Sequence, residues 1–190
     1  MDSYPLDSSL EICGKALLDP PSWYVMRFLF NHRKPTMDDL QKRQMTYFTP
    51  MRLVKKNRGG RLVEEKEPVI RSLLFIYSNY RSICELRERN SYLQFRYVKG
   101  GQMHEPMRVR KADMDEFIFF SNHGKDPVYF DVSLSNFSIG ERIRIIRGPL
   151  VGREAVLKKI PGRRSRQATI QLEDVIGVAV QIEVGDFVKI

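Results

Sequence analysis

Hydrophobic positions change their period several times along the chain, and each change predicts an element. Trp23 to Phe30, WYVMRFLF, is an unbroken apolar run of strand length, rich in aromatic residues. Behind Pro35 and Thr36, Met37, Leu40 and Met45 recur near helical spacing, and Asp38 and Asp39 suit a helix N-terminus, so a helix is expected over about residues 37–46. A second apolar stretch, Tyr47 to Val54, meets Asn57-Arg58-Gly59-Gly60 and resumes at Leu62 and Val63, as in a β-hairpin. Val69 to Tyr77, VIRSLLFIY, predicts a central buried strand. Ser82 and Glu85 have the S-x-x-E spacing of a capping box, which starts a short helix there. Leu93, Phe95 and Tyr97 alternate with Gln94 and Arg96 up to Gly100-Gly101, a half-buried strand, and Met114, Phe117 and Ile118 return to helical spacing. The result is an α+β domain: a small antiparallel sheet with helices packed on it.

Residues 119–136, FFSNHGKDPVYFDVSLSN, carry Gly124, Pro127 and several polar residues without a helical period, and are expected to be a linker. Beyond it the period is two. Ile143 and Ile145 alternate with Arg142 and Arg144, Ala168 to Leu172 alternate, and Val178, Val180, Ile182 and Val184 alternate with Ala179, Gln181 and Glu183. Turn signals fall between these runs at Gly148-Pro149, Pro161-Gly162, Gly177 and Gly185-Asp186. Short strands so closely spaced predict a small closed all-β barrel, because closure removes sheet edges. The expected organisation is an acidic flexible N-terminus over 1–21, an α+β domain over 22–118, a linker over 119–136 and a barrel over 137–190.

Charge sharpens this division. The 190 residues carry 32 Lys and Arg against 23 Asp and Glu, a formal net charge of +9, so an anionic partner, nucleic acid first, is expected. The excess sits in residues 22–118, with 20 bases against 11 acids. Cys13 and Cys84 are too far apart in sequence to suggest a disulfide framework. With His32, His104 and His123 scattered, no metal site and no cofactor are expected. No secretory leader and no run of about 18 apolar residues is present, so a cytoplasmic location without a membrane partner is expected. Phosphate-cradling, nucleophile-elbow and zinc-protease motifs are absent, and Asp113, Asp115 and Glu116 cluster at an expected helix start, where acids are stabilised by backbone dipoles. No catalytic residues and no enzyme activity are expected.

The most informative string is GERIRIIRGPLVGREAVLKKI, Gly140 to Ile160. A strand of alternating basic and apolar residues runs into a Gly-Pro turn, and Gly152 follows where a side chain would obstruct the return into the next strand. This string resembles a KOW motif, with Arg144, Gly148, Pro149 and Gly152 as its marks. Joined to an α+β block opening at Trp23-Tyr24 and containing EPVIRSLLFIY, it resembles the NusG family of transcription elongation factors over residues 22–190. Housekeeping members usually have an aromatic-Pro-Gly-Tyr run at the start of the central strand. Here Ile70-Arg71-Ser72-Leu73 stands there, which resembles the specialised antiterminators of bacterial surface and capsular polysaccharide operons.

The resemblance implies an NGN domain followed by an SH3-like KOW barrel, in a monomer. It implies that the NGN domain binds the clamp helices of the largest RNA polymerase subunit through an apolar patch, placed by position at Ile70, Leu73 and Phe75 with Tyr47, Leu93 and Phe95 as neighbours. It also implies that His32, Arg33, Lys34, Lys42 and Arg43 touch non-template DNA or nascent RNA. For the barrel it implies a small-subunit ribosomal protein or the termination factor Rho as a second partner. The alternatives left open are a housekeeping factor assisting Rho and an RNA-binding or ribosome-associated KOW protein. The hairpin tip, Arg58-Gly59-Gly60-Arg61, is first of all a turn, with nucleic acid or polymerase within its reach.

Overall fold

Strand β1 (Ser22–Phe28) runs between two partners, β5 (Leu73–Ser78) and β6 (Leu93–Phe95), both antiparallel to it. The computed structural model describes residues 20–28, 33–100, 105–130, 140–160, 162–164, 166–172 and 175–190. Two units follow from its contacts, Met1–Arg108 and Val109–Ile190. Most of the acidic N-terminus, His32 and residues 131–136 of the expected linker lie outside the described residues.

The first unit's sheet has the order β2-β5-β1-β6, with β2 spanning Thr46–Phe48, and the two-residue β7 (Arg108–Val109) also pairs with β1. The register sets Met26 opposite Leu74 and Phe95, Tyr24 opposite Ile76, and Phe28 opposite Leu93. On this face the sheet is covered by α1 (Arg33–Lys42), which contributes Leu40, and α2 (Tyr80–Arg89), which contributes Ile83 and Leu86, all fully buried. Leu73 to Ile76 are buried on both faces of β5, as expected of an interior strand.

Two helix boundaries differ from the sequence reading. Helix α1 begins at Arg33 because Pro35 lies in its first turn, where a backbone N–H has no intrahelical partner to lose. It ends earlier too. Gln44 takes φ 52°, its N–H donates to the Gln41 carbonyl and the Met45 N–H to that of Leu40, a Schellman closure. Helix α2 is capped by Asn79, whose Oδ1 accepts from the Ser82 N–H at 2.8 Å. Ser82 therefore stands inside the helix, and Glu85 pairs with Arg81 at 3.2 Å instead of closing a capping box.

Between β2 and β5 the chain makes a separate two-stranded ribbon, β3 (Met51–Arg58) and β4 (Arg61–Pro68). The predicted strand over 69–77 is thereby shortened. Residues 69–72 form a turn in which the Leu73 N–H donates to the Ile70 carbonyl, while the Ser72 carbonyl accepts from the Phe28 N–H.

The second unit contains α3 (Lys111–His123) and six strands: β8 (Lys125–Phe130), β9 (Glu141–Ile145), β10 (Glu154–Lys159), β11 (Arg166–Leu172), β12 (Ile176–Gln181) and β13 (Phe187–Lys189). Their order is β13-β9-β10-β11-β12-β8, antiparallel throughout. Residues 140–190 are strand and turn with no helix among those described, as expected. The unit as a whole is not all-β, because α3 lies along β11 and β12. Among the described residues, the pairings run from β13 to β8 without returning, so closure of the sheet is not observed.

Nor are residues 119–130 a linker. Phe120 is fully buried in α3, and β8 pairs with β12 as an edge strand, where Pro127 costs no interior ladder bond. The apolar positions Val128, Tyr129 and Phe130 outweigh the polar residues before them. At the other end, β12 stops at Gln181, and Val184 is exposed in the following turn.

Candidate interaction surfaces

The residues expected to dock on polymerase fall on opposite faces of one sheet. Leu73 and Phe75 share a face with Trp23 and Val25, because β5 and β1 pair Phe75 with Val25 and Tyr77 with Trp23. Tyr47, Leu93 and Phe95 belong to the other face, over the helices. Leu73, Phe75, Leu93 and Phe95 are all buried, at 5% exposure or less, so they support the sheet from within. Tyr47 and Ile70 keep partial exposure, the first at the rim of the helix-covered core and the second in the turn before β5.

Around Phe95 the packing is aromatic. Tyr80 stacks on it at 5.5 Å, Tyr24 lies tilted at 5.8 Å, and the Arg87 guanidinium sits 4.7 Å from the ring centroid. Burial, followed by Cys84, pushes the Tyr80 phenol up to about 12, so it stays protonated. Sequence spacing gave no sign of this group, because its members come from β1, α2 and β6.

The basic residues assigned to nucleic acid are unequally available. His32 lies outside the described residues. Arg33 is half-buried and directs Nη2 at Met51 Sδ, 3.5 Å away, and Arg43 is answered by Asp39 at 3.0 Å, one helical turn back. Lys34 and Lys42 remain exposed on α1. Eight positions apart, they are separated by about 12 Å along the axis and about 80° around it. Arg33 and Arg43 are thus engaged within the protein, and Lys34 and Lys42 are the exposed bases of this set on α1.

The ribbon carries a stronger arrangement. Gly59 and Gly60 take φ 60° and 82°, the pattern of a type I′ turn, and Asn57 Oδ1 accepts from the Gly60 N–H at 2.9 Å. Arg52, Val54, Lys56 and Arg58 share one face with Glu67, Glu65, Val63 and Arg61. Lys56 pairs with Glu65 at 3.2 Å and also with Glu67, and Arg58 reaches Glu65 at 3.3 Å. The hydrogen bonds from Lys56 hold both carboxyls below their ordinary range and raise the Lys56 amine. Sequence reading found this turn but not the ladder, which depends on the register.

In the second unit, Gly148 and Gly152 bound the turn from β9 to β10 at φ 82° and 83°. No atom lies within 4 Å of a side chain placed on Gly152, so backbone conformation, not obstruction, requires glycine there. The Gly152 N–H donates to the Ile145 carbonyl at 2.8 Å, while the Ile145 N–H donates to that of Arg153 at 2.9 Å. Pro149 lies within this turn, and Arg144 stands on the outer face of β9, reaching Glu154 at 2.8 Å with Arg142 alongside at 3.1 Å. Arg153 pairs with Glu116 of α3, a link that sequence spacing does not reveal. The second unit also has an open cleft of about 330 Å³ beside Asp113, Glu116, Arg142 and Glu154. No helix among the described residues is long and apolar enough to cross a membrane, and none of their side chains form a metal-binding cluster.

Comparison with known proteins bears on the first unit most directly. The family model described as transcription termination factor NusG matches residues 21–118, just over half of the chain. Among solved structures, the chain is similar to NusG of Thermotoga maritima, in a study of its domain interaction, with 17% identity, 90% of this chain and 97% of that chain covered, and a TM-score of 0.45. It is also similar to a chain of an MjSpt4:Spt5 complex, at 13% identity over 88% of this chain and 96% of the other, with a TM-score of 0.23. No curated protein matches. The family match spans β1, the helix-covered sheet, the ribbon and the first turns of α3, and on that extent the chain belongs to the NusG family of transcription elongation factors.

Proposed function

We propose that the chain is an operon-specific antitermination factor that rides on RNA polymerase through its first unit and suppresses pausing or termination, without catalysis of its own. The carrying observation is the family match over residues 21–118, since this family binds RNA polymerase. The turn formed by Ile70, Arg71 and Ser72 before β5 supports the specialised reading over the housekeeping one. Ile70-Arg71-Ser72-Leu73, without an aromatic residue, proline or glycine, stands where the general factor carries its aromatic-Pro-Gly-Tyr run.

Docking on the largest polymerase subunit uses two partly exposed apolar residues, Tyr47 on the edge strand β2 and Ile70 in the turn before β5. The buried Leu73, Phe75, Leu93 and Phe95 act by holding the sheet. The mechanism is a population shift, limited by the factor's difference in affinity for the elongating and paused polymerase. The strands of residues 140–190 form the KOW domain in this reading, supported by the Gly148 to Gly152 turn, with a ribosomal protein or Rho as partner.

Runoff transcription on a template with a Rho-dependent terminator tests the proposal. Longer transcripts on adding the protein are expected, and shortening that depends on Rho would identify a termination aid instead. Capture of the largest polymerase subunit should weaken with Ile70→Arg and Tyr47→Ala in folded protein, and full retention by both would remove the assigned docking surface.

A further inference from the structure

We propose that the tip of the β3–β4 ribbon is a phosphate clamp, in which Arg58 and Arg61 together grip the phosphodiester backbone of a nucleic acid. The inference rests on the transcription reading for the source of that nucleic acid, and on the ribbon's own geometry for the contact. Arg58 and Arg61 are directly opposed across the two strands, so their Cβ atoms are roughly 5 Å apart and both side chains leave the same face. Like charges directly opposite each other destabilise a ribbon. The tight Gly59-Gly60 turn, held by Asn57, nevertheless fixes them side by side at its extremity.

Neutralisation along this face is graded. Four bases, Arg52, Lys56, Arg58 and Arg61, face two acids, Glu65 and Glu67. Lys56 engages both acids, and Arg58 shares Glu65 with it. No acid among the described residues pairs with Arg61, which is exposed. Positive charge therefore accumulates towards the tip, where two guanidinium groups offer planar, multidentate donors suited to phosphate oxygens. The β3 strand has eight residues, about 26 Å of extended chain. A two-stranded ribbon is also narrow enough to enter a nucleic-acid major groove. The paired acids lower on the ribbon keep its sides near neutrality and so confine the anion to the end. A protein surface is the less favoured partner because the exposed Leu53 and Leu62 are four residue pairs apart on the opposite face, and the exposed Val63 stands alone beside Arg61 on the arginine face, too little for an apolar patch.

The test uses the full chain and 30-nucleotide probes of mixed sequence, as duplex DNA, single-stranded DNA and RNA, with fluorescence anisotropy followed across salt concentration. In Arg58→Ala/Arg61→Ala, affinity at 0.1 M salt should fall by at least about tenfold. The slope of log K against log salt should become shallower by about 1.8 for duplex or about 1.4 for a single strand. Whichever probe shows the loss identifies the nucleic acid, and any of the three supports the clamp. Arg58→Lys/Arg61→Lys should keep most of the slope. An equal loss there would overturn the proposal by tying the effect to ribbon structure instead of charge. Unchanged affinity and slope in the folded double-alanine variant would overturn it too, as would loss of polymerase capture with nucleic-acid binding intact. If the wild-type chain fails to capture polymerase but binds nucleic acid through the tip, the clamp stands and the proposed function falls.

Discussion

The guanidinium of Arg153 lies 4.2 Å from the centroid of the Phe119 ring, while the same side chain pairs with Glu116 on α3. Its backbone carbonyl meanwhile accepts from Ile145 and closes the β9–β10 turn. One residue thus fixes a strand connection with its main chain and holds a helix with its side chain. Arg153→Ala should destabilise the second unit by about 1–2 kcal/mol, since the ring contact and the ion pair are both partly shielded. Arg153→Lys should recover only part of this, because an ammonium stacks less well on a ring. Urea unfolding with a double-mutant cycle against Glu116→Ala measures the pair. Coupling below about 0.3 kcal/mol would show that α3 is held by apolar packing alone.

Strand β8 is fitted to β12 through a missing side chain. A Cβ on Gly177 would lie 2.2 Å from Cζ of Phe130. Gly177→Ala should therefore cost about 1–3 kcal/mol by overpacking, and Phe130→Leu in that background should restore part of the loss by thermal unfolding. If Gly177→Ala is neutral alone, β8 does not pack as described.

The family resemblance places Leu73 and Phe75 in a docking patch by position, and in β5 the two do share a face. Periodicity tells which residues point together, not what lies over them. β5 is interior and buried on both faces, as its unbroken apolar run predicts, and that burial leaves Leu73 and Phe75 no surface to offer a partner. The same limit explains the second unit. The strands of residues 140–190 were legible because turn residues separate short alternating runs. The Val128 to Phe130 strand was missed because three apolar residues beside Pro127 look like a loop until β12 supplies their partner. At α2, Asn79 and Ser82 both had N-cap chemistry, and the S-x-x-E spacing favoured the wrong one. For the interaction surfaces, sequence gave the bases but not their neutralisation, since Asp39, Glu65 and Glu67 act through helix phase and strand register.

Phe75→Ala consequently tests stability before it tests binding. A fully buried phenylalanine in an interior strand should cost about 3–5 kcal/mol on truncation, a large part of a small unit's stability. Circular dichroism melting should show this loss, and an unchanged melting curve would mean that the ring is free to serve a partner.

The cap of α2 discriminates between the two candidate residues. Asn79→Ala should lose about 1 kcal/mol in urea unfolding, because the Ser82 N–H then loses its acceptor. Ser82→Ala leaves that acceptor in place and should be nearly neutral. The reverse ranking would restore Ser82 as the cap.

Acid should reveal the charge pairs of the second unit. Hydrogen bonding from Arg144, with the further attraction of Arg142, holds Glu154 below the ordinary 4.5, and Lys189 followed by Arg166 does the same for Glu141. A carboxyl whose folded value is depressed contributes its full stabilisation above the unfolded value and loses it as pH falls through the folded one. The stability difference between wild type and Glu154→Gln should therefore be flat from pH 7 to about 5 and shrink below 4.5. Both carboxyls are solvent-accessible, so added salt should flatten this dependence. Urea unfolding from pH 7 to 3, at low and high salt, measures it. A difference that grows on acidification would reverse the assigned direction and leave Glu154 stabilised in its protonated form.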